Sequence, residues 1–354
     1  MKRVIATAIV TILLSGCGGG EEKAKPTTNG SNGEGTKKKK ASTKPKEVKK
    51  KKVAKKADDA VVKRLRPVFQ KLDTKDSGVR NEGMESLDSE TGLAAKLPAI
   101  LKSPDASVRR GAMYYLIARV DPDDREVFDA IATRLSDDDP VVRSRAMQLM
   151  REFRDTWIQP HLTSVAKLLF PANETEPRNR SKAARLLGSK RGVAKETLKD
   201  LAKAAKGDPD WRVRSACLAA VHQVGASKDT LPIFVASLKG DKDKRVRRAA
   251  ASRLRALGRA ARPVAADIVE ALGDPEETVR GAAIEALVAV GQIAVKPLIK
   301  QLDTKDLTRK KWTILALGML SRRAWEAKEP LRKLLKDKDP EVRKLVTAAL
   351  KEIQ

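Results

Sequence analysis

The sequence predicts an all-α protein whose helices form pairs and stack into an α-solenoid, a superhelix of repeats. An apolar residue followed by arginine recurs every 29 to 37 residues, as in Val246-Arg247 and Val279-Arg280. An apolar stripe with helical spacing follows these dipeptides, and an acidic residue precedes nearly all of them. Aromatic residues make up only 3% of the 354 residues, which favours thin helical layers over β-sheets.

The first 16 residues have the pattern of a secretory signal peptide. A basic start precedes an uncharged segment, residues 4–14, which is too short to span a bilayer stably. The next residues, Leu14-Ser15-Gly16-Cys17, resemble the lipobox of bacterial lipoproteins. That resemblance implies cleavage before Cys17, a diacylglycerol on its thiol and an N-acyl chain such as palmitate. Two or more acyl chains anchor a protein stably.

We therefore expect a lipid-anchored protein of the bacterial cell envelope. Residue 18 is glycine and not the aspartate linked to inner-membrane retention. By that rule, the outer membrane, facing the periplasm, is favoured over the inner membrane.

Residues 17–57 form the predicted tether that follows the lipidated cysteine. The segment is rich in Gly, Ser, Thr, Asn and Lys and has almost no apolar residues, so we expect it to be disordered. Its two lysine runs, Lys37 to Lys40 and Lys49 to Lys52, are either a solvated spacer or a contact for anionic lipid headgroups or cell-wall polymers.

Residues 58–354 are predicted to form a single repeat domain. The basic residue of each repeat recurs nine times, and the set is Arg80, Arg109, Arg143, Arg180, Arg214, Arg247, Arg280, Arg309 and Arg343. An acidic residue four positions earlier is expected to cap a helix, and this set is Asp76, Asp105, Asp139, Glu176, Asp210, Asp243, Glu276 and Asp339, with Lys305 as the exception.

Each unit is predicted to contain a helix A, a short acidic turn and a helix B. Small residues stand three positions after most of the repeated arginines, and apolar residues stand seven positions after them. This spacing is the buried stripe of an amphipathic helix. Nine such units fill the chain to residue 354.

The repeats resemble the HEAT family, and in particular the short subtype also found in phycobilisome lyases. The closest match is the segment Asp274 to Gly291, DPEETVRGAAIEALVAVG. The resemblance implies a right-handed superhelix with the B helices lining one concave face. The units with Asn179-Arg180 and with Lys305, Thr308-Arg309 and Trp312 depart from the pattern, so we expect altered stacking there.

The repeated arginines are interpreted as structural, because one cation per layer can form a ladder of ion pairs between the turns of neighbouring units. Cys217 and His222 are five residues apart, which places them on different sides of a helix, and Cys217 occupies a position that is small in most units. His161 is distant in the sequence. We therefore predict no catalytic site, no metal site and no cofactor.

The exposed side of the B helices is the candidate binding surface. Its candidate partner-binding residues are Arg110, Tyr114, Gln148, Arg151, Arg185, His222, Arg248 and Arg255. These mainly basic side chains would suit an acidic protein or another anionic partner, and the alternative is a solvated helix face.

The leading functional hypothesis is a membrane-tethered binding or scaffold protein outside the cytoplasmic membrane, and not an enzyme. An alternative is a lyase-like enzyme or enzyme subunit, as the resemblance to phycobilisome lyases allows. The formal charge of +28, from 74 basic and 46 acidic residues, also fits nucleic acid. No nucleic acid partner is expected, because the signal peptide predicts export.

Overall fold

The computed structural model describes residues 60–225 and 227–354, which belong to one compact unit, Lys52–Gln354. Every regular element in these ranges is helical, which confirms the predicted all-α class. None of the helices in these ranges is both long and apolar enough to cross a membrane. The predictions for the signal peptide, for Cys17 and for the tether concern residues outside the described part.

The helices alternate between two layers. The A helices are α1 (residues 60–72), α3 (Leu93–Ile100), α5 (Arg125–Thr133), α7 (Asp155–Ile158) with α8 (Leu162–Lys167), α10 (Leu198–Gly207), α12 (Leu231–Gly240), α14 (Ala265–Glu270), α16 (Val295–Lys300) and α18 (Lys328–Lys333). The B helices are α2 (Ser77–Asp88), α4 (Ala106–Arg119), α6 (Pro140–Leu149), α9 (Pro177–Ser189), α11 (Trp211–Gly225), α13 (Lys244–Leu257), α15 (Glu277–Val290), α17 (Leu307–Leu320) and α19 (Pro340–Glu352).

From α4 onward, successive B helices pack against one another, and most successive A helices do the same. The buried stripe of each B helix faces the A layer, as Val246, Ala250 and Leu254 show, each of which is fully buried. The buried apolar residues form one continuous cluster along the array. This arrangement of nine stacked helical pairs confirms the predicted solenoid, in which each unit is held by its neighbours.

The turn acids cap most B helices as predicted. Side-chain oxygens of Asp76, Asp105, Asp139, Asp243 and Asp339 accept hydrogen bonds from free N–H groups of the first helical turn. The prediction is wrong for the two glutamates, Glu176 and Glu276, which make no side-chain cap. Their extra methylene group carries the carboxylate away from those amides.

The predicted register is wrong by one residue in the eighth unit. The repeated cation there is Lys310, whose Nζ lies 3.1 Å from Oδ2 of Asp337 in the next unit. Asp306, four residues before Lys310, caps α17. Arg309 therefore takes the place of the usual apolar residue, and its guanidinium lies so close to Gly273 that a Cβ there would come within 2.5 Å of Nε.

Candidate binding surface on the B helices

The repeated arginines join each unit to the next. Arg180 donates hydrogen bonds from Nη1 to the carbonyl oxygens of Glu174 and Thr175 in its own turn, at 3.0 and 2.9 Å. Its Nε and Nη2 reach both carboxylate oxygens of Asp208 in the following turn, at 2.7 and 3.0 Å. The bidentate ion pair neutralises the two charges, and its geometry also fixes the spacing of the two turns.

The same arrangement recurs along the array, and we call it the arginine ladder. Its ion pairs have N–O distances of 2.6 to 3.1 Å and are Arg109–Asp137, Arg143–Glu174, Arg180–Asp208, Arg214–Asp241, Arg247–Asp274 and Lys310–Asp337. The structural interpretation of these arginines is therefore confirmed over these units. Their partner is not the capping acid, however, but the acidic residue two positions before it.

The ladder acid also shapes its own turn. Oδ1 of Asp208 accepts a hydrogen bond from the N–H of Asp210 at 2.8 Å, and the equivalent bond recurs in the turns of Asp241 and Asp337. One carboxylate thus orders the turn and receives the arginine of the preceding unit. In the first two units, Thr74 and Ser103 make this turn contact with a hydroxyl oxygen.

The ladder is interrupted between the seventh and eighth units. Arg280 donates to the carbonyl oxygens of Asp274 and Pro275 in its own turn. No carboxylate of the described residues forms an ion pair with it. Its guanidinium instead lies 4.8 Å from the ring centroid of Trp312. Thr304 occupies the turn position where units three to seven and the ninth unit have an acid, and its hydroxyl accepts from the N–H of Asp306.

Cys217, His161 and His222 are each buried or half-buried in the described part of the chain. Cys217 is fully buried, and this burial raises the pKa of its thiol, so that the thiol stays protonated at neutral pH. Burial, with a smaller effect of Arg253, lowers the pKa of His222. His161 packs edge-on against Phe128, with 5.6 Å between ring centroids. Within the described residues, no group of His, Cys, Asp and Glu could hold a metal ion.

Two of the predicted partner-binding residues have structural contacts. Arg110 lies 2.7 Å from Asp73 and 2.6 Å from Asp139, so that it links the first three units, and only 26% of its side chain is exposed. The guanidinium groups of Arg80 and Arg145 lie 5.6 and 5.5 Å from the ring centroid of Tyr114. Neither residue is an isolated surface group.

The other predicted residues are spread over α6 and the turn after it, α9, α11 and α13. Gln148 is exposed beside a shallow cleft next to Ile117, and His222 is half-buried with Nδ1 lacking a partner. Arg255 lies 3.6 Å from Glu285. The remaining three, Arg151, Arg185 and Arg248, are exposed, and no carboxylate of the described residues pairs with them. A role in partner binding stays a prediction for all eight.

Sequence reasoning named Arg185 but missed the side chains near it, where α6 and α9 meet. We define the Lys182 cluster as Ser144, Arg145, Lys182 and Arg185. Lys182 Nζ donates to Ser144 Oγ at 2.6 Å, across the contact between the two helices. Arg145 donates to the carbonyl oxygen of Arg110 on α4. No carboxylate of the described residues lies within ion-pair distance of the three cations.

The positive charges in the Lys182 cluster repel one another. Burial lowers the pKa of Lys182, and the positive charges of Arg145 and Arg185 lower it further. Burial also lowers the pKa of Arg145. Asp73 and Asp139 act on Arg145 from beyond ion-pair distance. No carboxylate of the described residues pairs directly with a cation of the cluster, in contrast to the arginine ladder beside it.

The stacked pairs and the ladder define a helical-repeat solenoid, and part of this solenoid is similar to a known repeat family. Residues 165–255, from α8 into α13, match the family model described as HEAT repeats. The lyase subtype predicted from the segment Asp274 to Gly291 stays a prediction, because this description names no subtype. No curated protein sequence matches the chain.

Solved structures of low sequence identity share the fold. One is Kap121p bound to Ste12p, with a TM-score of 0.57 and 12% identity over 79% of this chain and 36% of that chain. Another is Kap121p bound to Pho4p, with a TM-score of 0.50 and 11% identity over 82% of this chain and 37% of that chain. The chain thus spans little more than a third of the length of these structures, and the likeness concerns the fold.

Proposed function

We propose that the protein is a binding scaffold that captures an acidic segment of another protein on its B-helix face, the surface formed by the exposed sides of helices α2 to α19 of the B layer. One observation carries the proposal: exposed arginines on this face, Arg151, Arg185 and Arg248, have no carboxylate partner among the described residues. An acidic segment would supply the missing charges.

The architecture of the repeat domain supports the same function. A solenoid presents one long surface of stacked helices and so can contact an extended partner over many units. The similar Kap121p structures hold Ste12p and Pho4p. Their sequence identity to this chain is too low to transfer a partner, but they show that a fold of this kind accommodates protein ligands.

The proposal includes a location, which rests on the amino-terminal sequence. Leu14-Ser15-Gly16-Cys17 would direct cleavage and lipidation at Cys17, and the following lysine-rich segment would let the scaffold reach partners near the membrane. Tethering raises the local concentration of the scaffold for partners in the same envelope. The expected product is an outer-membrane lipoprotein that faces the periplasm.

The location is tested by mass spectrometry of the mature amino terminus. We expect the chain to begin at Cys17 and to carry the mass of the acyl groups, and we expect the variant Cys17→Ser to lose them and to leave the membrane fraction. An unmodified Cys17, or retention of the whole signal in the cytosol, would contradict this part of the proposal without affecting the binding part.

The binding function is tested with the full-length chain immobilised as bait and poly-L-glutamate as the first probe. The variant combines Arg151→Gln, Arg185→Gln and Arg248→Gln. Its matched control has the same loss of charge on the exposed arginines before α14 and α18, through Arg259→Gln, Arg262→Gln and Arg322→Gln. We expect the native chain and the control to retain the probe at moderate salt, and the B-face variant to lose it.

Equal retention by all three proteins would show that net charge alone attracts the probe and would reject the B-helix face as the site. If the native chain retains no probe, an acidic partner is rejected altogether. If only the B-face variant loses the probe, the same three baits are applied to detergent-solubilised envelope. Proteins captured by the native chain and the control but not by the variant are then the partner candidates.

A further inference from the structure

The Lys182 cluster departs from the pattern of the repeat. Two positions after the ladder arginine, neighbouring units have small residues, namely Gly111, Ala216, Ala249 and Ala282. The third and fourth units have Arg145 and Lys182 at this position instead. The fold of the repeat therefore does not require cations there. The two that are present stand at equivalent positions of neighbouring helices, and the positive charge of Arg145 acts on Lys182.

The cations of the cluster lack a direct ion-pair partner among the described residues, and this has a cost. Arg145 and Lys182 are half-buried, and burying a charge without a counter-charge is unfavourable. The ladder arginines in the same helices, Arg143 and Arg180, are paired with Glu174 and Asp208. A surface that pairs one set of cations and leaves the adjacent set unpaired has the charge pattern of an anion-binding site.

We propose that the Lys182 cluster is the specific anchor of the B-helix face and binds a carboxylate of the acidic segment, from the side chain of Asp or Glu. This inference rests on the proposed function. Lys182 offers an ammonium group, and Arg145 and Arg185 offer guanidinium groups. Ser144 Oγ already accepts from Lys182, so that its own hydroxyl proton is available to donate to the incoming carboxylate.

The surroundings hold this site in shape before the ligand arrives. Arg145 is fixed by the ring of Tyr114 and by the carbonyl oxygen of Arg110. Arg110 is in turn fixed by Asp73 and Asp139. Tyr114 and Arg110 are thus positioning residues that orient Arg145, and the contact of Lys182 with Ser144 fixes the other side.

The test measures binding of a fluorescein-labelled peptide of alternating Glu and Gly to the full-length chain. Lys182→Met keeps the apolar stem and removes the ammonium group. Lys199→Met removes the same charge from an exposed lysine on α10 and is the matched control. We expect Lys182→Met to weaken binding about tenfold or more, since it removes a charge-assisted hydrogen bond. Lys199→Met should bind as the native chain does.

The outcomes separate this inference from the function on which it rests. If the native chain binds the peptide and Lys182→Met binds it equally well, the anchor is rejected while the acidic-partner function stands. If the native chain does not bind the peptide, both are rejected. If Lys182→Met and Lys199→Met weaken binding to the same extent, net charge explains the effect and the anchor is again rejected.

A second readout follows Lys182 directly. The rate at which its amine is acylated by an N-hydroxysuccinimide ester is measured by mass spectrometry, with Lys199 as the internal reference. The Glu–Gly peptide should slow acylation of Lys182 relative to Lys199, because a bound carboxylate covers the amine and favours its protonated form. A peptide with Gln for Glu should not. Protection by inorganic phosphate but not by the Glu–Gly peptide would overturn the assignment to a carboxylate.

Discussion

Two junctions of the solenoid are built from the same repeat but are held together differently. At the junction after α9, Arg180 and Asp208 form a bidentate ion pair whose side chains are 3% and 1% exposed. At the junction after α15, Arg280 has no carboxylate partner among the described residues and lies on the ring of Trp312. The comparison separates what the ladder acid contributes from what helix stacking contributes.

Loss of the arginine should therefore have unequal effects at the two junctions. Arg180→Met leaves Asp208 buried without its counter-charge, and we expect the free energy of unfolding to fall by about 3–5 kcal/mol. Arg280→Met removes two hydrogen bonds and an aromatic contact but leaves no buried charge, so that a fall of about 1–2 kcal/mol is expected. Urea denaturation of the full-length chain measures both. Equal losses would mean that the acid adds nothing to the junction.

The space around helix glycines is a second difference between parts of the solenoid. A Cβ on Gly111 of α4 would lie 1.9 Å from the carbonyl oxygen of Phe69 in α1, whereas a Cβ on Gly281 of α15 would meet nothing within 4 Å. We expect Gly111→Ala to lower the free energy of unfolding by about 1–3 kcal/mol, through overpacking. Gly281→Ala should raise it by about 0.5–1 kcal/mol, because alanine favours the helix. A gain from Gly111→Ala in the same denaturation experiment would contradict the tight packing of α1 on α4.

The ladder should also make stability depend on pH. Burial alone would raise the pKa of Glu174, but hydrogen bonds from Arg143, from the N–H of Glu176 and from Asn179 outweigh it, and the pKa is lowered. The stabilising effect of this carboxylate is therefore complete above its ordinary pKa of 4.5 and is lost as the pH falls through the lower value of the folded state.

The variant Glu174→Gln measures this contribution. We expect it to be less stable than the native chain by about 1–2 kcal/mol at neutral pH, and the difference should shrink as the pH falls below 4.5. Denaturation is measured on both proteins across this range. A difference that is constant with pH would show that the hydrogen bonds of Glu174 do not depend on its charge.

The repeat, the nine helical pairs and the capping aspartates could be predicted, because each depends on residues close together in the sequence. The ladder acid was missed although a signal was present: the residues six positions before the cation are Asp137, Glu174, Asp208, Asp241, Asp274 and Asp337. In the eighth unit, Asp306 stands four residues before Lys310 and indicates the correct register. The dipeptide Thr308-Arg309 resembles the usual apolar residue and arginine, and it led to a register that is wrong by one residue.

Which cations of the B-helix face have a carboxylate partner could not be predicted. Whether a surface cation is paired depends on which residues of neighbouring helices come together, and this follows from packing. Arg110 and Arg185 look alike in the sequence, yet Arg110 has two carboxylate partners and Arg185 has none among the described residues. For the same reason, the meeting of Arg145 with Lys182 became visible only in the folded chain.

An ion pair can be introduced at the junction between the seventh and eighth units, where the arginine ladder is interrupted. Thr304 holds the turn position of the ladder acid, and an aspartate there could make the same contact with the N–H of Asp306 while it faces Arg280. We expect Thr304→Asp to raise the free energy of unfolding by about 0.5–1 kcal/mol, as a partly exposed ion pair does. The gain should disappear in the Arg280→Met background, because the new carboxylate then has no guanidinium to pair with. A gain that persists without Arg280 would show that the aspartate acts only on its own turn, and the acids elsewhere in the ladder would then stabilise their turns more than their junctions.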